Sequence, residues 1–244
     1  MLSTKSLTGR VPAERVRSLT INRVGADVLA RISQLEDLTG NLSDAMDQLG
    51  LVGALPASEL KPTLSGRRLV GQAVTVRNVE RSGSPYVNAQ SGIGKMGEHE
   101  AYNLAEPGDV VVIEGLHGVS NMGGQSATLA ARSGCAGAVI DGGYRDPEAS
   151  RDCDFPIWAR GVTPVTGKWR LETMEINGAV RIGGIAVSAG DVVAADDAGV
   201  VFIPFEHVEA VLKEAERIDG GDRKQKSDIA NGIDLATLAQ TKYK

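Results

Sequence analysis

A chain of 244 residues is long enough to bury a sizeable core, and 42% hydrophobic residues is ordinary for a packed protein, which argues against disorder. Its net charge of −5 comes from mixed charges without a basic block, so the sequence gives no electrostatic footprint for nucleic acid or an anionic membrane. Because only 4% of residues are aromatic and 30 are glycine, we expect an aliphatic core and many tight turns, which favours an α/β fold.

The beginning of the chain, MLSTKSLTGRVPAERVRS, lacks the apolar segment of a signal peptide, and no apolar run approaches the length of a membrane span. We therefore expect a cytoplasmic protein with no membrane partner and with reduced cysteines. Cys135 lies between a glycine and an alanine, where a small buried residue fits, so an inert core thiol is the favoured interpretation.

The N-terminal region, residues 1–55, is predicted to be helical. Apolar residues recur at helical spacing in DVLARISQL, and NLSDAMDQLG repeats the pattern, with Ser43 or Asp44 near the helix start and Gly50 at its end. The connector PTLSGRRL then leads to LVGQAVTVRN, whose alternating and branched residues predict a strand.

The central region, residues 65–204, alternates strands and helices. GDVVVIEG predicts a buried strand, GGQSATLAARSG a helix that ends at Gly134, and AGAVIDGG the next strand, which together predict a βαβ unit. FPIWARGVTP predicts another strand. The segments AVRIGG, IAVSAGDVVAAD and GVVFIP follow too closely for intervening helices, so we expect an antiparallel or layered sheet there.

The C-terminal region, residues 205–244, is predicted to be helical as well. FEHVEAVLKEAERI is typical of an amphipathic helix, because its apolar residues share one face; they are Phe205, Val208, Val211, Leu212 and Ala215. The rest of the chain predicts a charged helical tail of a kind that often packs on a neighbour. We expect the three regions to form a single domain over residues 1–244.

Two glycine-rich segments resemble nucleotide-binding loops without meeting their requirements. GIGKMG, Gly92 to Gly97, matches G-x-G-x-x-G but follows turn-forming residues instead of a strand. We interpret it as a mobile loop before the helix EHEAYNLAE, in which Lys95 could still face an anion. GVTPVTGK has one residue too many between its glycines, and Trp169 stands where a P-loop requires a hydroxyl, so it predicts no phosphate site.

The three histidines, His99, His117 and His207, lack the spacing of metal ligands and predict no zinc site. His207 is expected to be solvated. His117 follows a strand, at the sheet edge where ligands gather in α/β proteins, so both a ligand-facing and a solvated side chain remain open for it.

The stretch AVIDGGYRD places an arginine beside an aspartate just after a strand. We predict that the strand ends at Asp141 and that Gly142 and Gly143 let the backbone bend and a ligand come close. Arg145 offers a planar set of donors that suits a carboxylate, and Asp146 offers an oxygen ligand for Mg²⁺ or Mn²⁺. Two interpretations are open: a site that holds both ends of a small oxo acid, or an ion pair that only braces the turn.

The helix that begins in NMGGQSATLAA offers a second place for an anion. Its first residues, Gly123, Gly124, Gln125 and Ser126, would present free backbone N–H groups at the positive end of the helix dipole. Glycine-mediated packing of the helix is the alternative interpretation.

These motifs, taken in order from LVGQAVTVRN through PGDVVVIEG, GGQSATLAARSGCAGAVIDGGYRD and FPIWARGVTPVTGK to GDVVAADDAGVVFIP, resemble one superfamily. It joins the 4-hydroxy-4-methyl-2-oxoglutarate and 4-carboxy-4-hydroxy-2-oxoadipate aldolases to the regulator of ribonuclease E activity A. The resemblance extends from about Leu42 to Pro204. It implies a swivelling β/β/α fold, a layered α-β-β sandwich, assembled as a homotrimer or homohexamer with active sites between subunits.

The resemblance also implies roles for individual residues. Asp146 would ligate the divalent metal, Arg145 would bind the oxo-acid end of the substrate, and backbone N–H groups near Gln125 and Ser126 would receive the pyruvyl carboxylate. The aldolases carry an aspartate where this chain has Gly124, and its loss removes an acid that lies near the metal.

Two further acidic positions are implied by the same resemblance. Aldolases place an acid near the C-terminus that reaches the metal of a neighbouring subunit through water, and Asp222 is the best-matched position here. Another acid follows the Arg-Asp pair by a few residues, and Glu148 matches it one place early.

The activity implied is that of a lyase that depends on Mg²⁺ or Mn²⁺. A 2-oxo acid chelated through its carboxylate and keto oxygens would be polarised by the metal and by Arg145, and cleavage of the next carbon–carbon bond would leave pyruvate enolate. Retro-aldol cleavage and oxaloacetate decarboxylation give the same enolate. A metal-held water oriented by acids such as Asp222 would carry the proton.

A second function class stays open beside the lyase. A non-catalytic regulator would share the fold and act by binding another protein. This alternative stays open because the chain has Gly124 where the aldolases have an aspartate.

Overall fold

A computed structural model describes residues 5–243, so the predicted domain bounds at 1 and 244 lie outside the described residues. The helices are α1 Ala26–Ser33, α2 Leu38–Gln48, α3 Pro85–Gln90, α4 His99–Leu104, α5 Gly124–Arg132, α6 Pro147–Asp152, α7 Val208–Ala230 and α8 Leu235–Gln240. The strands are β1 Ala54–Pro56, β2 Lys61–Pro62, β3 Leu69–Glu80, β4 Val110–Glu114, β5 Gly137–Tyr144, β6 Ile157–Val162, β7 Leu171–Ile176, β8 Val180–Ile182, β9 Ile185–Val187, β10 Val192–Asp196 and β11 Gly199–Ile203. Within residues 5–243, no helix combines the length and the apolar composition needed to cross a membrane.

Nine strands form one sheet in the order β1-β11-β10-β3-β4-β5-β6-β2, and β7 also pairs with β3. Strand β3 is long enough to pair with β10 at its beginning, with β4 in its middle and with β7 at its end. Strands β3 to β6 run parallel, whereas β10, β11 and β7 join antiparallel. The predicted βαβ unit, β4-α5-β5, and the predicted antiparallel region are therefore confirmed.

The core lies in layers on the two faces of this sheet. Strand β4 shows the alternation: Val111 and Ile113 pack toward α4 and α5, while Val110 and Val112 pack toward the hairpin β8–β9. A third apolar cluster joins α1, α2 and α7 to β10 and β11. Each fully buried aliphatic side chain contributes about 1.5–3 kcal/mol, so these clusters hold the predicted layered α/β arrangement together.

Helix α2 begins earlier than the sequence predicts. It starts at Leu38 after Asp37, not near Ser43 or Asp44, and Gly50 follows its end with φ +70°. Thr39 explains the early start, because its hydroxyl donates to Asp196 Oδ1 at 2.7 Å and its backbone N–H donates to Oδ2 at 3.1 Å. These bonds come from a strand that is distant in sequence.

The C-terminal helix differs from prediction at both ends. Helix α7 begins at Val208 and extends to Ala230, while Phe205 lies in a 3-10 turn before it and is half-buried. The predicted apolar face otherwise holds, since Val208, Val211 and Leu212 are buried against the N-terminal helices.

Strand β5 passes Asp141 without ending, and that carboxylate fixes its neighbours. Asp141 accepts hydrogen bonds from Arg160 Nε at 2.7 Å and from the backbone N–H of Gly183 at 2.7 Å, and it lies 3.1 Å from His117 Nε2. Burial alone would raise the pKa of Asp141, but these partners hold it below the ordinary value.

Asp141→Asn is expected to lower the free energy of unfolding by about 1–3 kcal/mol at pH 7, because hydrogen bonds to a charged group are lost. A depressed pKa contributes stability above the unfolded-state value, and this contribution disappears as the pH falls through the folded-state value. Urea unfolding at pH 7 and pH 3 should therefore show the gap between variant and wild type closing at the lower pH. A gap that stays constant would contradict this account of Asp141.

Candidate active site

Two glycines near the end of β5 make room for a loop of the protein itself. A Cβ on Gly142 would lie 2.3 Å from Asn121 Nδ2, and one on Gly143 would lie 2.8 Å from the carbonyl oxygen of Val119. The space predicted for an approaching ligand is filled by residues 115–121. Strand β5 has glycines at these two positions because the loop packs directly against its backbone.

The same loop brings the start of α5 to the end of β5. Asn121 fastens it, because the side-chain amide donates to the carbonyl oxygen of Leu116 at 3.1 Å and the backbone N–H donates to that of Gly143 at 2.8 Å. One residue later, the carbonyl oxygen of Met122 accepts from the backbone N–H of Arg145 at 3.0 Å. Arg145 and the first turn of α5 are thereby held side by side.

A cavity of about 360 Å³ opens at this junction. It is lined by the residues that the sequence singled out on two separate segments: Gly124, Gln125, Ser126, Arg145 and Asp146. The side chains of Arg145 and Asp146 are 42% and 52% exposed, so neither is turned into the protein interior. Their ion pair is long, with 3.4 Å between Arg145 Nε and Asp146 Oδ2, and both groups remain accessible from the cavity.

Asp146 has one carboxylate oxygen engaged and one free. Oδ2 accepts the backbone N–H of Gly124 at 3.0 Å, whereas no hydrogen bond within residues 5–243 involves Oδ1. The residue lies in the left-handed region, at φ 59° and ψ 54°, a conformation that costs energy outside glycine and is concentrated at functional sites.

The donor set suits a hard divalent cation that keeps most of its water. In residues 5–243, no three His, Cys, Asp or Glu side chains group closely enough to form a metal site by themselves. Mg²⁺ is usually bound through one or two carboxylates, with waters and substrate oxygens completing the shell. The free Oδ1 of Asp146 fits that mode.

Helix α5 presents backbone N–H groups of its first turn to the cavity. Its N-cap, Gly123, is extended and provides no side-chain cap, and Asp146 takes the N–H of Gly124. The N–H groups of Gln125 and Ser126 have no acceptor in the described part of the chain. The positive end of the helix dipole adds to their attraction for an anion.

Glycine is also required at this turn for packing. A Cβ on Gly124 would lie 2.6 Å from the Cβ of Ala149 in α6 and 3.1 Å from that of Asp146. The two interpretations of the glycine pair are therefore compatible. The aspartate that aldolases carry at this position would displace α6 in this chain.

Several residues that line the cavity were not predicted from the sequence. Arg10, Glu98, His99 and Lys168 reach the cavity from the N-terminal segment, the start of α4 and the loop after β6. Arg10 Nε donates to the carbonyl oxygen of Met96 at 3.2 Å, and Lys168 Nζ lies 4.5 Å from the ring of Trp169. Together with Arg145 they give the cavity three cations against two carboxylates, which favours an anionic ligand.

Glu98 is the most unusual of the missed residues. It is only 4% exposed, its Oε1 accepts from the hydroxyl of Ser126 at 3.0 Å, and its Oε2 has no hydrogen-bond partner in the part of the chain that the structure describes. Its only signal in the sequence is an acidic residue between Gly97 and an apolar helix, which does not distinguish it from an ordinary surface acid.

Other candidates lie away from the cavity. His117 pairs with Asp141, Lys95 Nζ lies 2.9 Å from Glu172, and Glu148 lies 3.3 Å from Arg151. Asp222 is in α7, a helix that packs against α2 and does not line this cavity. Its predicted role concerns the metal of a neighbouring subunit and stays a prediction.

Comparison with known proteins identifies relatives by sequence similarity. The sequence model of the RraA-like family, described as Aldolase/RraA, matches residues 39–202. An uncharacterised protein of Methanocaldococcus jannaschii is 34% identical over 80% of this chain and 86% of its own length. A Halalkalibacterium halodurans protein provisionally named 4-hydroxy-4-methyl-2-oxoglutarate aldolase is 31% identical, over 79% of this chain and 84% of its own. Protein DlpA of Legionella pneumophila is 26% identical over 88% of this chain, which spans only 34% of that protein.

Solved structures share the fold. A crystal structure of a Pseudomonas syringae pv. tomato protein superposes with a TM-score of 0.74, at 27% identity, over 90% of this chain and 100% of that one. Streptomyces coelicolor RraAS2, described as an unusual member of the RNase ES inhibitor RraA protein family, superposes with a TM-score of 0.66. It is 22% identical and covers 86% of this chain and 98% of its own, a likeness that concerns the fold alone.

Proposed function

Because this chain belongs to the RraA-like family (Aldolase/RraA), we propose that it is a divalent-metal-dependent lyase acting on 2-oxo acids. It cleaves a carbon–carbon bond to give pyruvate enolate, by retro-aldol cleavage of a 4-hydroxy-2-oxo acid, by decarboxylation of oxaloacetate, or by both. The single observation that carries the proposal is the convergence of Arg145, Asp146 and the open N-terminus of α5 on one cavity.

Each group has a task in this chemistry. The free N–H groups of Gln125 and Ser126 receive the carboxylate of the pyruvyl unit. The guanidinium of Arg145 donates to the keto side, where negative charge develops during cleavage. Asp146 would hold Mg²⁺ or Mn²⁺ through its free oxygen, and the cation would supply Lewis-acid polarisation of the substrate when bound. Holding Asp146 through the Gly124 N–H aims that oxygen at the cavity before any ligand binds.

The wider setting belongs to the same proposal. The substrate is a small oxo acid, the protein works in the cytoplasm, and it assembles as a homotrimer or homohexamer. In that assembly, Asp222 of the partner subunit would help to hold the cation through water. Neither nucleic acid nor a membrane is a partner.

Pyruvate release from oxaloacetate tests the proposal. We expect turnover with Mg²⁺ or Mn²⁺, its loss when a chelator is added, and its recovery when the metal is restored. A folded preparation that releases no more pyruvate with metal than without it, from oxaloacetate and from 4-hydroxy-4-methyl-2-oxoglutarate alike, contradicts the proposal.

One observation favours a second candidate, a non-catalytic regulator that binds another protein. The tight packing of Gly124 against Ala149 leaves no room for the acid that aldolases carry there. Metal titration separates the two functions, because a protein that acts only by contact has no reason to bind Mg²⁺ at Asp146.

A further inference from the structure

Glu98 is a buried carboxylate at the wall of the proposed active site. Only 4% of its surface is exposed, yet it lines the same cavity as Arg145 and Asp146. A carboxylate that leaves water normally regains hydrogen bonds at both oxygens, because an unsatisfied buried charge is costly. Glu98 regains them at Oε1 alone, and Oε2 has no partner among residues 5–243.

Glu100, two residues later in the first turn of α4, shows what a structural carboxylate looks like. It is fully buried, and its oxygens accept from the backbone N–H of Thr8 at 3.0 and 3.1 Å, from the Thr8 hydroxyl and from Asn103 Nδ2. Glu100 braces the N-terminal segment and does not line the cavity. The contrast shows that Glu98 lacks the set of hydrogen bonds by which Glu100 stabilises the N-terminal segment.

The position of Glu98 links it to the substrate end of the cavity. Its Oε1 accepts from the hydroxyl of Ser126, whose backbone N–H is one of the two donors proposed for the pyruvyl carboxylate. In a 2-oxo acid, only the keto carbon C2 separates the reacting carbon C3 from that carboxylate. The charged and titratable side chains that face the cavity from other elements are Arg10, Arg145, Asp146 and Lys168, with His99 adjacent in α4.

Two neighbours are poorly suited to carry a proton. The hydroxyl of Tyr102 is buried, and burial together with the charge of Glu98 raises the pKa of Tyr102 well above its usual range, so the phenol keeps its proton. His99 packs edge-on against the ring of Tyr102 at 5.7 Å between centroids and has no hydrogen bond to the α5 turn. Glu98, which is not assigned to the metal, combines an unpartnered oxygen with a hydrogen bond to that turn through Ser126.

We propose that Glu98 is the catalytic residue that carries the proton between substrate and pyruvate enolate, an inference that rests on the lyase function proposed above. In retro-aldol cleavage, Glu98 removes the proton of the C4 hydroxyl while that O–H electron pair forms the new carbonyl. The electrons of the C3–C4 bond pass into the enolate, and Glu98 then returns the proton to C3 to form pyruvate. In decarboxylation, carbon dioxide leaves, protonated Glu98 supplies the proton to C3 and water restores it.

The proton-transfer half of this reaction is measurable without cleavage. Wild-type protein with Mg²⁺ and pyruvate in D₂O should exchange the methyl protons of pyruvate for deuterium, followed by proton NMR. E98Q keeps the shape and the bond from Ser126 but cannot take up a proton, so its exchange rate should fall about 10²–10⁴-fold. E100Q, the matched buried control, should exchange within about threefold of wild type per folded molecule.

A binding measurement distinguishes loss of proton transfer from loss of the binding site. Oxalate resembles the enolate, and E98Q should bind it with Mg²⁺ within about threefold of the wild-type Kd, with a Tm within about 2 °C. If E98Q exchanges at the wild-type rate, or loses exchange only because oxalate binding is lost, the role of Glu98 is contradicted while the lyase stands. If wild-type protein neither exchanges nor turns over, the proposed function is contradicted and the role of Glu98 with it.

Discussion

Asp146→Asn should reduce metal-dependent turnover of oxaloacetate at least about 10³-fold while the protein stays folded. Asparagine keeps the size of the side chain, tolerates the left-handed backbone and can still accept the N–H of Gly124 through its carbonyl oxygen. It lacks the negative charge that a hard cation requires. Initial rates at saturating Mg²⁺, together with a Mg²⁺ titration by calorimetry, measure the loss.

Glu148→Gln is the matched control for this change. Glu148 lies two residues away in α6, is exposed and pairs with Arg151 across 3.3 Å. We expect its rate to stay within about twofold of wild type, as for surface substitutions away from a site. If Asp146→Asn retains metal binding and turnover, or if it merely unfolds the protein, Asp146 braces the turn and the metal site lies elsewhere.

Arg145→Lys is expected to lower kcat/KM about 10²–10³-fold, the range seen when a donor to developing charge is removed. The substitution keeps a positive charge, but an ammonium group cannot present two coplanar donors to an oxo acid. Arg145 is also held by backbone, since its N–H donates to the carbonyl oxygen of Met122 at 3.0 Å, so the lysine stem should follow the same path. Steady-state kinetics over a range of oxaloacetate concentrations separates kcat from KM.

The comparison variant is Arg151→Lys, at an exposed position of α6 outside the cavity. It should leave both kinetic constants within about twofold of wild type. A loss in Arg145→Lys confined to Tm, with kcat/KM per folded molecule unchanged, would show that the guanidinium has a structural role only.

The fold was predictable where a segment carries its own signal. Strands β4 and β5 could be predicted because each is a short apolar run bounded by turn residues. The end of α5 could be predicted because a glycine follows its last turn. The start of α2 could not, since Thr39 gains its hydrogen bonds from Asp196, which lies far along the chain. Strand β7 was missed because its residues, LETMEI, include as many polar as apolar side chains and do not alternate strictly.

The part of the site formed by two short segments, the end of β5 and the start of α5, could be predicted from the sequence. Arg145 and Asp146 follow a strand, and Gln125 and Ser126 open a helix, so their chemistry and their sheet edge could be inferred together. Gly142 and Gly143 were wrongly predicted to make room for a ligand. The loop that contains Asn121 packs against them instead, and glycine permits either kind of close approach. Glu98 could not have been found, since burial and an unpartnered oxygen are properties of the packed structure.

One measurement addresses the central claim most directly: the crystal structure of the wild-type protein soaked with Mn²⁺ and oxalate, with anomalous scattering used to locate the metal. We expect one Mn²⁺ per chain at bonding distance from a carboxylate oxygen of Asp146, with oxalate bridging the ion, the Arg145 guanidinium and the N–H groups of Gln125 and Ser126. Manganese located away from Asp146, or a cavity that takes up neither ion nor oxalate, would contradict the account.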